Sequence, residues 1–301
     1  MIGEAAALAA SLCWAGGSHL FRRVGSGNQV PAGALNLGKC ATATALFAVT
    51  GLLLEGRAFP AVDRETLGWL VASGVVGLSV GDACYFGAMF SIGVRRALLL
   101  LSTAPVFAAI GGALFLGERL GAREMAAIGA VMAGVMLVVY EPPPEGAPAG
   151  RGGAMGPLLG LASGICQAAG SLLSRFAMAR GTPPLSAAMV RLPAGLVGIM
   201  VLAAVTGRLV PWTRSLAKPG VGLKVAGSSV VGTYAGIWLS QIAIGRSSST
   251  AVASTLLATS PLFALPLGRW LEGEKITLRA AVGTALATAG LVGLTLGAGS
   301  S

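Results

Sequence analysis

Charge is scarce in this chain. Of 301 residues only 11% are Asp, Glu, Lys or Arg, against 54% hydrophobic residues, and mean hydropathy is +0.80. So few polar groups do not cover a water-facing surface, which excludes an ordinary soluble domain. Histidine occurs once, at His19, so any hydrolytic triad would depend on that residue alone. The four cysteines, Cys13, Cys40, Cys84 and Cys166, show no C-x-x-C spacing and all lie in apolar stretches. They read as buried small hydrophobes, neither disulfides nor metal ligands. No phosphate-binding loop is present, so the chain implies no nucleotide domain and no cofactor. The net charge of +10 forms no patch. Its basic residues fall in ones and twos between apolar runs, where they anchor helix ends at lipid headgroups, and this argues against a nucleic-acid partner.

What the chain has in abundance is long apolar runs. They recur at residues 2–21, 32–54, 67–92, 97–116, 125–140, 156–174, 185–206, 225–245, 250–268 and 280–297, and a bilayer span needs about 20 residues. The runs are continuous and rich in Leu, Ala and Gly, without the period-two polarity of a membrane barrel, so the expectation is an all-α membrane protein with ten transmembrane helices. Met1 to Ala10 carries no positive segment and reads as part of a retained first helix.

The chain is also a duplication. Thr103-Ala104-Pro105-Val106-Phe107 with Gly117-Glu118 and Gly134 returns 156 residues later as Thr259-Ser260-Pro261-Leu262-Phe263 with Gly273-Glu274 and Gly290. A shift of 153 pairs residues 3–22 with 156–175 at nine identities in twenty positions, Cys13/Cys166, Ser18/Ser171 and Arg22/Arg175 among them. A Pro/Gly linker over 141–155 separates a first five-helix repeat at 1–140 from a second at 156–301. Five is odd, so the second repeat enters the membrane from the opposite face, and inverted repeats place a shared site near the midplane.

Charges inside spans are expensive and nominate themselves for function. Lys39 lies ~12 Å into the second helix and Asp82 ~15 Å from the end of the third on the same side. The two sit at similar depth and can pair, either as a packing pair or as an ion-coupling site. Asp82 is the one carboxylate inside a span away from helix ends, a candidate proton or cation site. The 156-residue shift maps Asp82 onto Trp238, Tyr85 onto Gln241 and Leu78 onto Tyr234. Tyr234, Trp238 and Gln241 share one helical face, as do Asp82, Tyr85 and Met89, so two polar-aromatic faces are expected to meet at the repeat axis. Trp14 pairs with Gln167 and Ser18 with Ser171 in the same manner. Arg191, ~9 Å into the seventh helix, either snorkels to the headgroups or offers its fork to a substrate carboxylate or phosphate. His19 reads as a boundary residue beside Arg22. Pro105 and Pro261 interrupt their helices and are hinge candidates. Glu118 and Glu274 read as helix-end groups paired with Arg119 and Lys275. Gly77-Leu78-Ser79-Val80-Gly81 matches G-x-S-x-G, yet lies within a helix where no nucleophile elbow forms.

The Pro-aromatic pair of the fourth helix in each half, the Gly-Glu that ends it and the glycine-containing fifth helix resemble the EamA-like members of the drug/metabolite transporter superfamily. The resemblance implies a ten-helix secondary transporter of small metabolites, often an exporter of amino acids or related compounds. Its central cavity would be lined by the first, third, fourth, sixth, eighth and ninth helices. Coupling would be to protons or to the solute gradient, in a plasma membrane, as a monomer or homodimer. A facilitative exchanger or channel is the alternative, and an intramembrane hydrolase a remote one. Loop Lys and Arg count twelve on the side opposite the termini and seven on the terminal side, which would put both termini outside. The resemblance implies cytoplasmic termini and is given precedence, because a fused inverted repeat keeps only a weak charge bias.

Overall fold

A computed structural model describes residues 2–115, 121–139, 153–246, 256–257, 259–273 and 275–297. These form helices with no strand among them. In chain order they are α1 (Ile2–Asn28), α2 (Ala32–Glu55), α3 (Arg64–Ile92), α4 (Val94–Leu101), α5 (Ala104–Phe115), α6 (Ala122–Val139), α7 (Met155–Ala179), α8 (Pro184–Val205) and α9 (Leu209–Leu216). Then come α10 (221–246), α11 (Ser260–Glu272) and α12 (Leu278–Gly297). The linker at 141–152 and the Gly117-Glu118 pair lie outside the described residues, as does Glu274.

Four of these helices, Ala32–Glu55, Arg64–Ile92, Met155–Met178 and Pro184–Val205, are long and apolar enough to cross a membrane, and Met125–Val139 and Leu278–Gly293 are shorter apolar helices. The helices carry bare hydrophobes outward: Val205 on α8 is 83% exposed, Trp270 on α11 81%, Leu223 on α10 80% and Leu278 on α12 80%. Such a surface is sustained by lipid, not by water.

α3 is the spine of the bundle. It starts where the Asp63 carboxylate accepts from the Glu65 and Thr66 amides and from the Thr66 hydroxyl; the Thr66 bonds hold that carboxyl below the usual carboxylate range. It ends at Gly93, whose φ of 90° no β-carbon tolerates comfortably. Its middle, Gly74–Gly81, is wound as a π-helix, and a second π stretch, Val230–Ala235, interrupts α10 at a position that begins 156 residues later. Neither is visible as a breaker in the sequence.

Contacts fix the helix directions. Along α1 and α3, Ser18 meets Tyr85, Phe21 meets Phe86 and Gly25 meets Phe90, so the two run parallel. Along α3 and α7, Ile92 meets Gly156, Gly81 meets Cys166, Gly77 meets Gly170 and Trp69 meets Phe176, so these run antiparallel. α1 and α7 therefore point in opposite directions.

At two of these crossings the backbones touch. A β-carbon built on Gly17 would collide with Cα of Gly232, in the π stretch of α10, and one on Gly170 would lie 3.1 Å from Cα of Gly77, in the π stretch of α3. Small residues at a crossing substitute van der Waals contact for a hydrophobic drive that lipid does not supply.

The fourth and ninth spans differ from expectation. Residues 97–116 do not form one helix kinked at Pro105; the helix stops at Leu101 and restarts at Ala104, with Pro105 in the first turn of α5. Pro261 likewise occupies the first turn of α11. An N-terminal proline costs no intrahelical hydrogen bond, so neither one interrupts a helix. The breaks before them are marked by Thr103 and Thr259, whose hydroxyls donate to Leu100 O and Leu256 O, each at 2.6 Å. Among the described residues, Pro193 in α8 and Pro266 in α11 stand inside their helices.

Gly17→Val forces α1 and α10 apart, and we expect it to cost at least ~1–3 kcal/mol of stability. Its neighbour Gly16, which has open space where a β-carbon would stand, should accept alanine at no cost or gain up to about 1 kcal/mol. Melting temperatures of both variants in detergent check this, and equal effects would show that the crossing is not tight.

Candidate functional site

The buried centre of the site is an ion pair. Lys39 on α2 and Asp82 on α3 are each 7% exposed, and the Lys39 ammonium bonds Asp82 Oδ2 while lying 5.8 Å from the Phe86 ring centroid. Depth alone places both residues at one level, and helix packing brings them into contact. Asp82 stands where the π stretch returns to α-helix, its amide donating back to Gly77 O, five residues earlier. π winding moves amides away from their usual carbonyls. Asn36, fully buried one turn before Lys39, braces the stretch by donating to Leu78 O and Ser79 O at 3.1 Å each, the latter also accepting from the Asp82 amide. Cys40 lies against the same groups, its Sγ 3.6 Å from Asn36 Oδ1.

Tyr85 extends the polar line to α1. Its hydroxyl donates to Ser18 Oγ at 2.8 Å, and Ser18 donates on to Trp14 O at 2.8 Å. The Trp14 indole lies flush on Gly236 of α10. Ser171, the counterpart of Ser18, is exposed, so the equivalence of the halves does not extend to this hydrogen bond.

Gln167 and Arg191 converge on the opposite side of α3. A β-carbon at Gly77 would lie 3.1 Å from Gln167 Oε1 and 3.7 Å from Arg191 Nη2. Arg191 is level with Gly74, which packs against its carbonyl. Its guanidinium therefore reaches along α3 toward Gly77.

Tyr234 and Trp238 face α2 and α8. Tyr234 shares a 2.7 Å hydrogen bond with Thr50, meets the Phe47 ring edge-on at 5.0 Å and stacks with Trp238 at 6.2 Å. Both belong to a cluster with Ala43, Met189, Leu192 and Leu78. The expected meeting of two faces at the axis takes a different form: among the described residues no hydrogen bond or ring contact joins Asp82 or Tyr85 to Tyr234 or Trp238, and the two groups instead share α2 as their common wall. Met89 is buried in the main core. The Gln241 side chain lies outside the described residues.

One polar cluster escapes sequence reasoning. His19 is not a boundary residue but wholly buried; its Nδ1 lies 2.6 Å from Glu272 Oε1 and its Nε2 3.3 Å from Ala264 O. Arg22 Nη1 stands 3.4 Å from Glu272 Oε2. The cluster joins α1 to α11 through residues 253 apart in sequence, and no local spacing signals it. Ser79 of the G-x-S-x-G match is 1% exposed inside the π stretch, while His19 is engaged with Glu272.

An apolar groove of about 490 Å³ lies elsewhere, between α3 and α8, lined by Val71, Val75, Pro193, Val197 and Val201 among others. Val197 and Val201 are more than half exposed, so it opens on the lipid face and holds none of the candidate residues.

The described residues form a multi-pass helical bundle with apolar outer faces and polar side chains gathered inside it. The sequence matches the EamA-like transporter family over residues 1–140 and 154–296. The chain belongs to that family, and with it to the drug/metabolite type of membrane transporter. No curated protein matches the chain. A solved structure described as "Crystal structure of protein" matches at a TM-score of 0.64 and 18% identity over 98% of this chain and 96% of that one, a likeness of fold.

Removing either member of the Lys39–Asp82 pair strands a buried charge and should cost ~3–5 kcal/mol, whereas Lys39→Met with Asp82→Leu together should cost much less. Denaturation of the three variants in detergent decides it; additive losses would show that the pair is not coupled. Asn36→Leu should cost ~1–3 kcal/mol through the loss of its bonds to the Leu78 and Ser79 carbonyls.

Proposed function

We propose that the chain is a secondary active transporter that exports small metabolites, such as amino acids or related compounds, across the plasma membrane by alternating access. The observation that carries this reading is the Lys39–Asp82 pair, shut off from both surfaces and seated on a π stretch. A carboxylate in such a place is costly unless it serves ion or solute movement, and π stretches concentrate at functional sites. In this reading the chain has ten spans in two inverted repeats, 1–140 and 156–301, joined by the 141–155 linker, with both termini in the cytoplasm. The opposed directions of α1 and α7 and the paired π stretches support the inverted arrangement. α4 with α5, and 256–257 with α11, then each count as one broken span.

Trp14, Ser18, Asp82, Tyr85, Gln167, Arg191, Tyr234, Trp238 and Gln241 line the solute path, and Lys39 with Asp82 couples it to protons. When Asp82 takes a proton, its attraction for Lys39 is lost and α2 is freed from α3. The breaks at 102–103 and before Thr259, with Pro105 and Pro261 just beyond them, serve as hinges.

In proteoliposomes the parent chain should move a solute saturably and faster under an imposed pH gradient. Asp82→Asn should abolish that acceleration and keep counterflow exchange. Retained acceleration would remove Asp82 from coupling and favour the facilitative exchanger. Trp238→Ala and Tyr234→Ala should lower transport far more than folding yield, and parental transport in both would turn that face to structure alone. A reporter fused to the C-terminus should read out cytoplasmic; an external signal would invert the orientation.

A further inference from the structure

His19 is buried outright where α1 meets α11, and both of its ring nitrogens face oxygen: Nδ1 lies 2.6 Å from Glu272 Oε1 and Nε2 3.3 Å from Ala264 O. A backbone carbonyl only accepts, and so does an ionised carboxylate. A neutral imidazole carries one ring proton. Placed on Nδ1, that proton serves Glu272 and leaves the Nε2 lone pair against the Ala264 carbonyl; placed on Nε2, it leaves the Nδ1 lone pair against the carboxylate. Both contacts are satisfied only when Nδ1, Nε2 and Oε1 hold two protons among them, one directed at Ala264 O and one along the line from Nδ1 to Oε1. The cluster therefore accommodates one proton more than a neutral histidine and an ionised glutamate carry.

The helices around α1 leave Glu272 as the acid that answers this proton. α1 packs on α2, α3, α4, α10 and α11. Lys39 of α2 and Asp82 of α3 bond each other, and the Tyr85 hydroxyl of α3 is donated to Ser18. At the end of the bundle where α1 finishes, α4 begins with Arg95 and Arg96, α10 begins with Lys224 in its first turns and α11 closes with Arg269 in its last. These four are cations and only donate. Arg22 of α1 places its Nη1 3.4 Å from the other Glu272 oxygen, and the two side chains are 28% and 13% exposed. The proton of a wholly buried ring thus has a short way to water through Glu272, at the face where α1 ends. α1 also holds the chain on the other side of the break before Thr259, because Ser11 Oγ stands 2.8 and 2.9 Å from the carbonyl oxygens of Leu256 and Leu257.

We propose that His19 and Glu272 form a second proton site, separate from Lys39–Asp82, whose bound proton latches α11 to α1 and whose release frees α11 to turn about the break while Ser11 keeps 256–257 in place. On release one proton passes to water, the pair keeps the other, and a lone pair is left against oxygen in the α1–α11 contact, which weakens it. The proton site stands without the transporter reading; only its use in a transport cycle rests on that reading.

His19 is the single histidine of the chain, so histidine isotope-labelled at its ring nitrogens gives this residue alone in the nitrogen NMR spectrum of the purified full-length protein, once any histidine tag is removed. At low pH both nitrogens should read as N–H, and as pH rises one proton should leave in a single step. Glu272→Gln, which keeps the shape and removes the acid, should displace that step to an at least tenfold higher proton concentration. Amide exchange in Ser260–Glu272, corrected for its intrinsic pH dependence, should quicken at least tenfold across the same step relative to α8, and His19→Gln should remove that response. A ring that does not titrate over the range in which the protein stays folded, a step that Glu272→Gln leaves in place, or α11 protection that ignores the step would overturn the proposal. The first of these is read on the parent chain, so a variant that fails to fold does not shield the latch from the test. None of these measurements reads transport: their failure leaves the transporter reading standing, and a chain that titrates as expected but moves no solute removes that reading alone.

Discussion

A charge in hydrocarbon must be answered by another charge, and in this protein that requirement ties α2 to α3. Lys39 and Asp82 are each costly alone and tolerable together. Their contact sets the register of the two helices, and Asn36 fixes it a second time by reaching the carbonyls of Leu78 and Ser79. The π stretch, the Tyr85–Ser18–Trp14 line and the approach of Arg191 to Gly77 all depend on where that register places α3.

Close backbone contact is the second constraint. α1 crosses α10 at Gly17 and Gly232, and α7 crosses α3 at Gly170 and Gly77. Each crossing sets a straight helix against a π-wound one. A π stretch returns to α-helix by shifting one residue of register, a small motion that rotates everything beyond it. Here the residues beyond it are Asp82 and Tyr85 in one helix and Trp238 in the other. A bundle packed this tightly does not deform gradually, so paired register shifts offer a route between two discrete packings.

Much of this was legible beforehand. Hydropathy separates the helices, because lipid selects against charge over a whole span. The common level of Lys39 and Asp82 follows from depth alone, because helices rise by a fixed step per residue; their contact is made by the packing of α2 on α3. The direction of Arg191 was not legible: a long side chain near a helix end satisfies both snorkelling and inward readings until its neighbours are known. A proline looks the same in mid-helix and in a first turn, so the sequence leaves the positions of Pro105 and Pro261 within their helices open, and the difference lies in where the preceding Thr turns the chain. The π stretches left no trace, since Gly74–Gly81 and Val230–Ala235 carry ordinary apolar sequence. The His19–Glu272 contact was hidden by sequence distance, although a lone histidine and a carboxylate at the end of another helix are the signal that a contact map would have used.

The most direct measurement is amide hydrogen exchange of the protein and its Asp82→Asn variant in detergent. Loss of the ion pair should speed exchange in α2 around Lys39 and in α3 around Gly74–Gly81 while α6 and α12 keep their protection. Unchanged exchange in α2 and α3 would contradict a bundle whose register is held by that buried pair.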